Sequence, residues 1–322
     1  MKILFIAPKY SGGIGGHAVR VAEKLQEYGF EIKLMHTSHI PIKKLKNPSF
    51  ALLSSLKAIM SGEKYDVVHA FNVPSAFAMK HTKAKKKVLS IHGIYSEQVD
   101  ALHSKTISTA AKITETKVLD WADKLTTDSK IVKKIYKKKL NMDFEFFYAP
   151  LDTKKFEQLK NVEKKEKQII FIGRDSYEKG IDILKEIETK INGKIVYCTN
   201  MKWEDAMENL KASSILVVPS RMESIPQVIK EAFYLKIPVI ATDVGGVSEL
   251  IKNKETGILV ESENSQSLLD EINKLLKNPI IQEQLSENAH KFILEHYTWE
   301  SLYQKYVDFY QNIINQNHKS NS

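Results

Sequence analysis

Three stretches of the sequence combine residue types able to handle an anion or a polyhydroxyl group. In the first, Pro8-Lys9-Tyr10-Ser11-Gly12-Gly13-Ile14-Gly15-Gly16-His17 follows an apolar run. Its four glycines let backbone N–H groups approach an anion closely, and a helix starting there adds the positive end of its dipole. In the second, Phe171-Ile172-Gly173-Arg174-Asp175-Ser176-Tyr177-Glu178-Lys179-Gly180, two cations share one loop. Arg174 and Lys179 suit an anion such as a diphosphate, whose growing charge they would neutralise. Beside Asp175 and Glu178 they could equally form a solvated ion-pair cluster. The third stretch, Val217 to Ala232, carries Glu223 and Glu231 eight positions apart.

That spacing carries no information by itself, since Glu23/Glu31, Glu178/Glu186 and Glu287/Glu295 repeat it. Context separates the pair. Glu223 follows an apolar strand pattern, Ser224 stands where it could cap the next helix, and Glu231 falls two turns into that helix. Behind it come the apolar run Pro238–Ala241 and the loop Thr242-Asp243-Val244-Gly245-Gly246-Val247-Ser248-Glu249. In the first stretch, Gly13-x-Gly15-x-x-Ala18 matches a dinucleotide fingerprint only in part. Lys9–Gly12 separate it from the strand, and the second strand ends in His36-Thr37 without the acid that would hold a ribose. A nicotinamide cofactor is therefore disfavoured, and a plain glycine-rich turn is the bland alternative.

The elements that must position these residues alternate. Lys2–Ala7 reads as a buried parallel strand, and Ala18, Val21, Ala22, Leu25 and Tyr28 recur at helical spacing until Gly29. Glu31–Met35, Asp66–Ala70, Lys87–Ile91, Lys124–Thr127 and Phe144–Phe147 are further strands, with helices between them. Residues 151–167 are polar and rich in Lys and Glu, which predicts a linker with room for one short helix. Alternation resumes with Gln168–Ile172, Lys194–Cys198, Ile215–Val218, Pro238–Ala241 and Gly257–Val260, with Ile181, Leu184, Ile187 and Ile191 on one helix face. The chain closes with helices over Gln266–Leu276, Ile280–Glu295 and Trp299 to about Ile314, and residues 318–322 read as a frayed tail. The fold class is α/β: two doubly wound Rossmann-like domains, over 1–150 and 168–298, facing a central cleft. In such folds ligands bind beyond the carboxyl ends of the strands, where all three stretches fall.

The 322 residues suffice for two domains, and 43% apolar with 27% charged content is ordinary for a globular enzyme. No apolar run is long enough to span a bilayer, and the N-terminus lacks the longer core and cleavage site of a signal peptide. One cysteine, Cys198, excludes an internal disulfide framework. These features make the cytoplasm the default location. No Asp-x-Asp stands at a strand end and no His/Cys/carboxylate set has ligand spacing, so no metal site is expected. The net charge of +9 is uneven: residues 1–150 carry 25 Lys+Arg against 13 Asp+Glu, and residues 151–322 carry 23 against 26. Only three basic residues are arginine, the fork that reads bases and phosphates, which disfavours nucleic acid as a partner. The lysines of 43–46, 83–87 and 130–139, with the amphipathic segment Phe50–Met60, suit an anionic membrane surface at the cytoplasmic face. A solvated, lysine-biased surface is the alternative.

Taken together and in order, these stretches resemble the retaining, nucleotide-sugar-dependent glycosyltransferases of the GT-B fold, specifically the family-four (group 1) type. The resemblance runs from Ile3 to about Tyr310, through the glycine loop, the GRxxxxKG element, the Glu223/Glu231 pair and IPVIATDVGGVSELI with TGILV behind it. YDVVHAF, VLSIHGIYSEQ and ADKLTTDSKIVKKI support it. The resemblance implies that Glu231 holds the ribose hydroxyls of a nucleotide diphosphate sugar. It implies that Glu223, with the backbone N–H groups of Ser224 and Ile225, binds the donor sugar, and that Arg174 and Lys179 bind the diphosphate. Gly13, Gly15 and Gly16 would let donor phosphates and acceptor approach the first domain. His92 would touch the sugar near the reacting carbon, whereas His17, His36 and His69 are read as structural. The donor is a co-substrate and no further cofactor is implied. The acceptor would be a glycan, plausibly a lipid-linked one at the membrane surface. The terminal segment 299–322 would return as a helix to the first domain. The chain departs from the family in running from Cys198 through Thr199-Asn200-Met201 straight into the next helix, one βα unit short, and in having Tyr148-Ala149-Pro150-Leu151 for the usual Asn-Gly turn. A nucleotide-sugar epimerase of the same fold, and a non-catalytic membrane-docking subunit, are the alternative readings. Donor consumption with and without acceptor separates the three.

Overall fold

Lys2–Pro8 (β1) is apolar in nearly every position, and from Ile3 onward every residue is buried, as a central parallel strand covered on both faces must be. The computed structural model describes residues 1–9, 13–37, 39, 40, 42, 45–93 and 105–315. It resolves into two units, one of residues 1–149 with the chain from Leu302 onward, the other Pro150–Ser301.

In the first unit β1 is followed by α1 (Gly13–Glu27), β2 (Glu31–Thr37), α2 (Lys46–Ser61), β3 (Lys64–Ala70), α3 (Val73–His81), β4 (Lys83–Ser90), α4 (Lys105–Leu119), β5 (Lys124–Thr127), α5 (Lys130–Leu140) and β6 (Glu145–Phe146). The strands form one parallel sheet in the order β2-β1-β3-β4-β5-β6, with Leu4 level with Lys33 on one side and Val68 on the other. The strand order reverses between β1 and β3, the switch point at which such sheets open a crevice at their carboxyl edge. Local chemistry fixes the helix starts. Asn72 accepts from the Ser75 N–H at 2.8 Å ahead of α3, and Ser129 accepts from the Val132 N–H at 3.2 Å ahead of α5.

The second unit repeats the plan with β7 (Gln168–Ile172), α6 (Ile181–Ile187), β8 (Lys194–Cys198), α7 (Trp203–Ala212), β9 (Ile215–Val218), α8 (Gln227–Tyr234), β10 (Val239–Thr242), α9 (Val247–Leu250), β11 (Ile258–Val260), α10 (Ser265–Leu276) and α11 (Pro279–His296). Its parallel sheet runs β11-β10-β9-β7-β8, so the reversal falls between β7 and β9. Ile169, Ile215, Leu184 and Ile272 centre its core. The final helix, α12 (Trp299–Asn315), contributes its residues from Leu302 onward to the first unit. There Tyr306 donates to the Tyr148 carbonyl at 3.0 Å, and Tyr310 packs against Phe5.

Several expectations need correction. Residues 151–167, expected as a linker with one short helix, contain the 3₁₀ helix Thr153–Gln158 and group with the second unit. The Leu151 N–H donates to the Tyr297 carbonyl at 2.6 Å, and Phe156 packs against Trp203 and Tyr234 at 5.1 and 4.7 Å between ring centroids. Two apolar anchors in a polar stretch leave no periodicity to read. Strand β4 begins at Lys83, so the lysines of 83–87 belong to the sheet. Lys85 pairs with Asp66 at 2.6 Å, and the Lys87 ammonium donates to the Lys80 carbonyl at 2.9 Å. Tyr28 leaves the core face of α1 and stacks on Tyr303 at 4.9 Å. Residues 318–322, Lys43 and Lys44 lie outside the described residues. Among the described residues no helix is long and apolar enough to cross a membrane.

Candidate functional site

In the second unit the switch point brings the loops after β7 and β9 together. Lys179, in the short 3₁₀ turn Tyr177–Lys179, places its ammonium 2.7 Å from Glu223 Oε1, and the Ser220 hydroxyl donates to the same oxygen at 2.8 Å. Glu223 is nearly buried, with its side chain 8% exposed against 25% for Lys179. Thr242, at the end of β10, donates in turn to the Ser220 carbonyl. The turns that allow this approach depend on missing side chains. Gly180 has φ +63°, and a Cβ there would lie 1.9 Å from the Pro219 carbonyl oxygen; at Gly245, φ +53°, it would lie 1.8 Å from the Glu223 carbonyl oxygen. Arg221, in the β9 loop, donates to the Tyr177 carbonyl of the β7 loop at 2.9 Å, and makes a bidentate pair with Asp182 on α6 at 2.8 Å and a bond to Glu263 after β11 at 2.9 Å. The guanidinium holds the Asp182 carboxyl below its usual range.

Sequence reasoning placed Lys179 and Glu223 in separate roles, and the structure joins them. Arg174 is exposed, with neither an ion pair nor a hydrogen bond among the described residues. Ser224 does not cap α8, whose N-cap is Pro226, because its hydroxyl points inward, buried and without a hydrogen-bond partner. The adjoining Gly246 shows how close the backbones run there, since a Cβ on it would lie 2.1 Å from the Ser224 carbonyl oxygen. The hydroxyl of Ser176, in the loop of Arg174 and Lys179, is likewise buried without a partner. Glu231, 8% exposed on α8, accepts from the Trp203 indole N–H at 2.9 Å. Neither Ser220 nor Trp203 announces itself in the sequence, because each acts only through a carboxylate distant along the chain or a loop turn away.

In the first unit, residues at the carboxyl ends of the strands, with His17 of α1, line a small open pocket, among them Phe71, His92 and Asp128. His92, just beyond β4, sets Nδ1 3.1 Å from Asp128 Oδ1, just beyond β5, with side chains 10% and 13% exposed. Its ring lies parallel to Phe71 at 6.4 Å and edge-on to His17 at 5.2 Å. His92 Nε2 is buried and has no hydrogen-bond partner. That nitrogen is thus placed to form a hydrogen bond with a ligand hydroxyl. Below it His69 is fully buried, with Nδ1 2.6 Å from the Tyr310 hydroxyl and Nε2 2.6 Å from the Ser90 hydroxyl. Burial, aided by His92, pushes its pKa down to about 3, so the ring is neutral. His17, read as structural, thus lines the pocket, while His69 belongs to its floor. Gly13, Gly15 and Gly16 form the first turn of α1, and the preceding residues 10–12 lie outside the described residues. Among the described residues no group of three or more His, Cys, Asp or Glu side chains could hold a metal ion.

Two units, each a parallel α/β sheet, make this the GT-B fold. The sucrose-phosphate synthase of Thermosynechococcus elongatus matches with a TM-score of 0.80 at 16% identity, over 98% of this chain and 99% of that one. The Anabaena protein HepE, solved in complex with UDP and glucose, matches with a TM-score of 0.73 at 16% identity, over 97% and 100%. The model for glycosyl transferases group 1 matches residues 184–292, and that for glycosyltransferase family 4 matches residues 11–154. An uncharacterized glycosyltransferase of Methanocaldococcus jannaschii is 25% identical, over 97% of this chain and 98% of its own length. Between them the two models match most of the chain, which is similar to glycosyltransferases of the group 1 and family 4 type in its two halves.

Proposed function

We propose that the chain transfers a sugar, with retention of anomeric configuration, from a nucleotide diphosphate sugar to an acceptor hydroxyl held by the first unit. The observation that carries this reading is the pairing at the β7/β9 switch point: a nearly buried Glu223 fixed by Lys179 and Ser220, with Glu231 following on α8. Carboxylates held in this way accept hydrogen bonds from diols. Glu231 takes the ribose hydroxyls, and Glu223 with the N–H groups of Ser224 and Ile225 takes the sugar. Arg174 binds the diphosphate. Lys179 spends one of its three N–H donors on Glu223 and keeps the others for phosphate oxygens. His92 Nε2 hydrogen-bonds a sugar hydroxyl, and the glycines of α1 leave room for the phosphates.

In the transfer step the bond from the anomeric carbon to the phosphate oxygen breaks, its electron pair leaving with the diphosphate. The acceptor oxygen bonds to the same face of that carbon, and its proton passes to the departing phosphate. Arg174 and Lys179 stabilise the charge that develops there, so the reaction runs without a divalent cation. The structures of HepE with UDP and with UDP-glucose, and of starch synthase IV with ADP, support a nucleotide-sugar donor. The charge of the first half of the chain supports a lipid-linked glycan as acceptor. Thermal-shift screening against UDP-, GDP- and ADP-sugars tests the donor class, and a ligand at about 100 Kd stabilises by roughly 2.7 kcal/mol. Donor cleavage is then followed with and without EDTA. No shift with any nucleotide sugar would overturn the reading, and loss of turnover in EDTA restored by magnesium would overturn its metal-free part.

A further inference from the structure

Helix α2 is apolar on two opposite sides. At 100° per residue, Phe50, Ser54 and Ala58 form one stripe, and it is buried. Leu52, Leu53, Leu56, Ile59 and Met60 form the other, and they are 62, 42, 48, 57 and 83% exposed. Leu45, just before the helix, continues this stripe at 45% exposure. A surface helix ordinarily turns polar residues outward. Here the outer face is the greasy one, and a contiguous exposed apolar patch marks a surface that meets something.

We propose that the outer face of α2 docks on an anionic lipid bilayer, with the leucine-rich stripe in the headgroup–acyl boundary and Lys46 and Lys57 against the phosphates. Charge selects this occupant. The sixteen residues of α2 include no Asp or Glu, and Lys46 and Lys57 border the stripe along one side. The half of the chain that holds α2 has twelve more basic than acidic residues. A second copy seated on this face would bring two such surplus charges together, whereas an anionic bilayer complements them. The docking lysines proposed are those that border the stripe; Lys57 also donates to the His36 carbonyl at 3.5 Å, and of the lysines that start β4, Lys85 pairs with Asp66 and Lys87 with the Lys80 carbonyl. Topology gives the docking a use. Since α2 leads from the end of β2 back to the start of β3, its first turn lies at the carboxyl edge of the sheet, the edge of the His92–Asp128 pocket. A lipid-anchored acceptor would reach that edge with its headgroup. This last point rests on the proposed transfer reaction, but the docking itself does not.

The test uses the full chain and vesicles of phosphatidylcholine, with and without phosphatidylglycerol, at low and high salt. Sedimentation should show roughly tenfold or stronger partitioning onto the anionic vesicles at low salt, weakened by high salt. In a Leu56→Trp variant, the emission assigned to the new indole should move to the blue with anionic vesicles alone. Replacing Leu52, Leu56 and Met60 together by serine should abolish the partitioning while the melting temperature and nucleotide binding stay unchanged. Partitioning that survives the triple replacement, or an unshifted Leu56→Trp emission, would overturn the proposal. So would a dimer in sedimentation velocity that the same replacement dissolves, since a second copy would then be the occupant. Vesicle binding with no nucleotide binding would sink the transferase reading and leave the docking standing.

Discussion

Glu223 and Glu231 have similar burial but different company, and that difference predicts different failures. Glu231 meets the indole of Trp203, a neutral donor, so Glu231→Gln keeps the shape and weakens the acceptor. Free nucleoside diphosphate should then bind about 1.5–3 kcal/mol more weakly. Glu223→Gln should leave that binding nearly intact and lower turnover. Calorimetry with the nucleoside diphosphate alone decides the matter, with equal melting temperatures as control, and equal losses in both variants would show the roles misassigned. His69 supplies a prediction of another kind. Its folded pKa of about 3 lies below the ordinary value of 6.5, so the unfolded chain binds the extra proton between them. The stabilisation is whole above pH 6.5 and drains away toward pH 3, at about 1.4 kcal/mol per pH unit for one proton. Denaturant unfolding at pH 7 and pH 5 should show a drop that His69→Gln reduces, and an identical drop in both proteins would contradict this. At this scale the sequence revealed the residues that follow apolar strands: His92, Glu223 and Arg174. It hid the partners of His92 and Glu223, because Asp128 and Ser220 have meaning only once the loops are folded side by side.

Elements with a continuous apolar run, such as β1, β7 and β9, were legible because burial on both faces leaves room for nothing else. Where side chains half-expose, the pattern fails. Strand β4 opens with lysines along its partly exposed start, and the short helix through Phe156 shows in the sequence without the packing that holds it. The loops between elements carry the sharpest constraint. At Gly180 both the left-handed backbone and the 1.9 Å approach to Pro219 exclude a side chain. Gly180→Ala must therefore separate the β7 loop from the β9 loop, pulling Lys179 off Glu223. A loss of about 3 kcal/mol or more is expected, together with weaker diphosphate binding. Thermal unfolding checks the first and calorimetry the second. A variant as stable as the parent would mean that the turn relaxes freely.

On the scale of the whole molecule, the first unit is completed by α12. Leu302, Tyr306, Phe309, Tyr310 and Ile313 are no more than 7% exposed. Each large apolar side chain contributes about 1.5–3 kcal/mol when buried. Five of them together rival the roughly 5–15 kcal/mol by which a whole domain is usually stable. Truncation after Ser301 should therefore cost the first unit its cooperative unfolding, seen as early amide exchange in β1 and β3. Protection unchanged by the truncation would show that the helix is dispensable there.

The same discontinuity sets an order on biosynthesis. Domains usually fold as they leave the ribosome, the N-terminal one first. Here the first 149 residues emerge without the Tyr310 that partners His69 and packs on Phe5, and the whole second unit must be translated before it arrives. The second unit, being continuous, has all its parts as soon as Ser301 is made. The later-made half can thus reach its native state first, while the earlier one waits with an open apolar flank. For that interval the nascent chain is a client for chaperones, and codons that slow translation between 150 and 301 would lengthen the exposure.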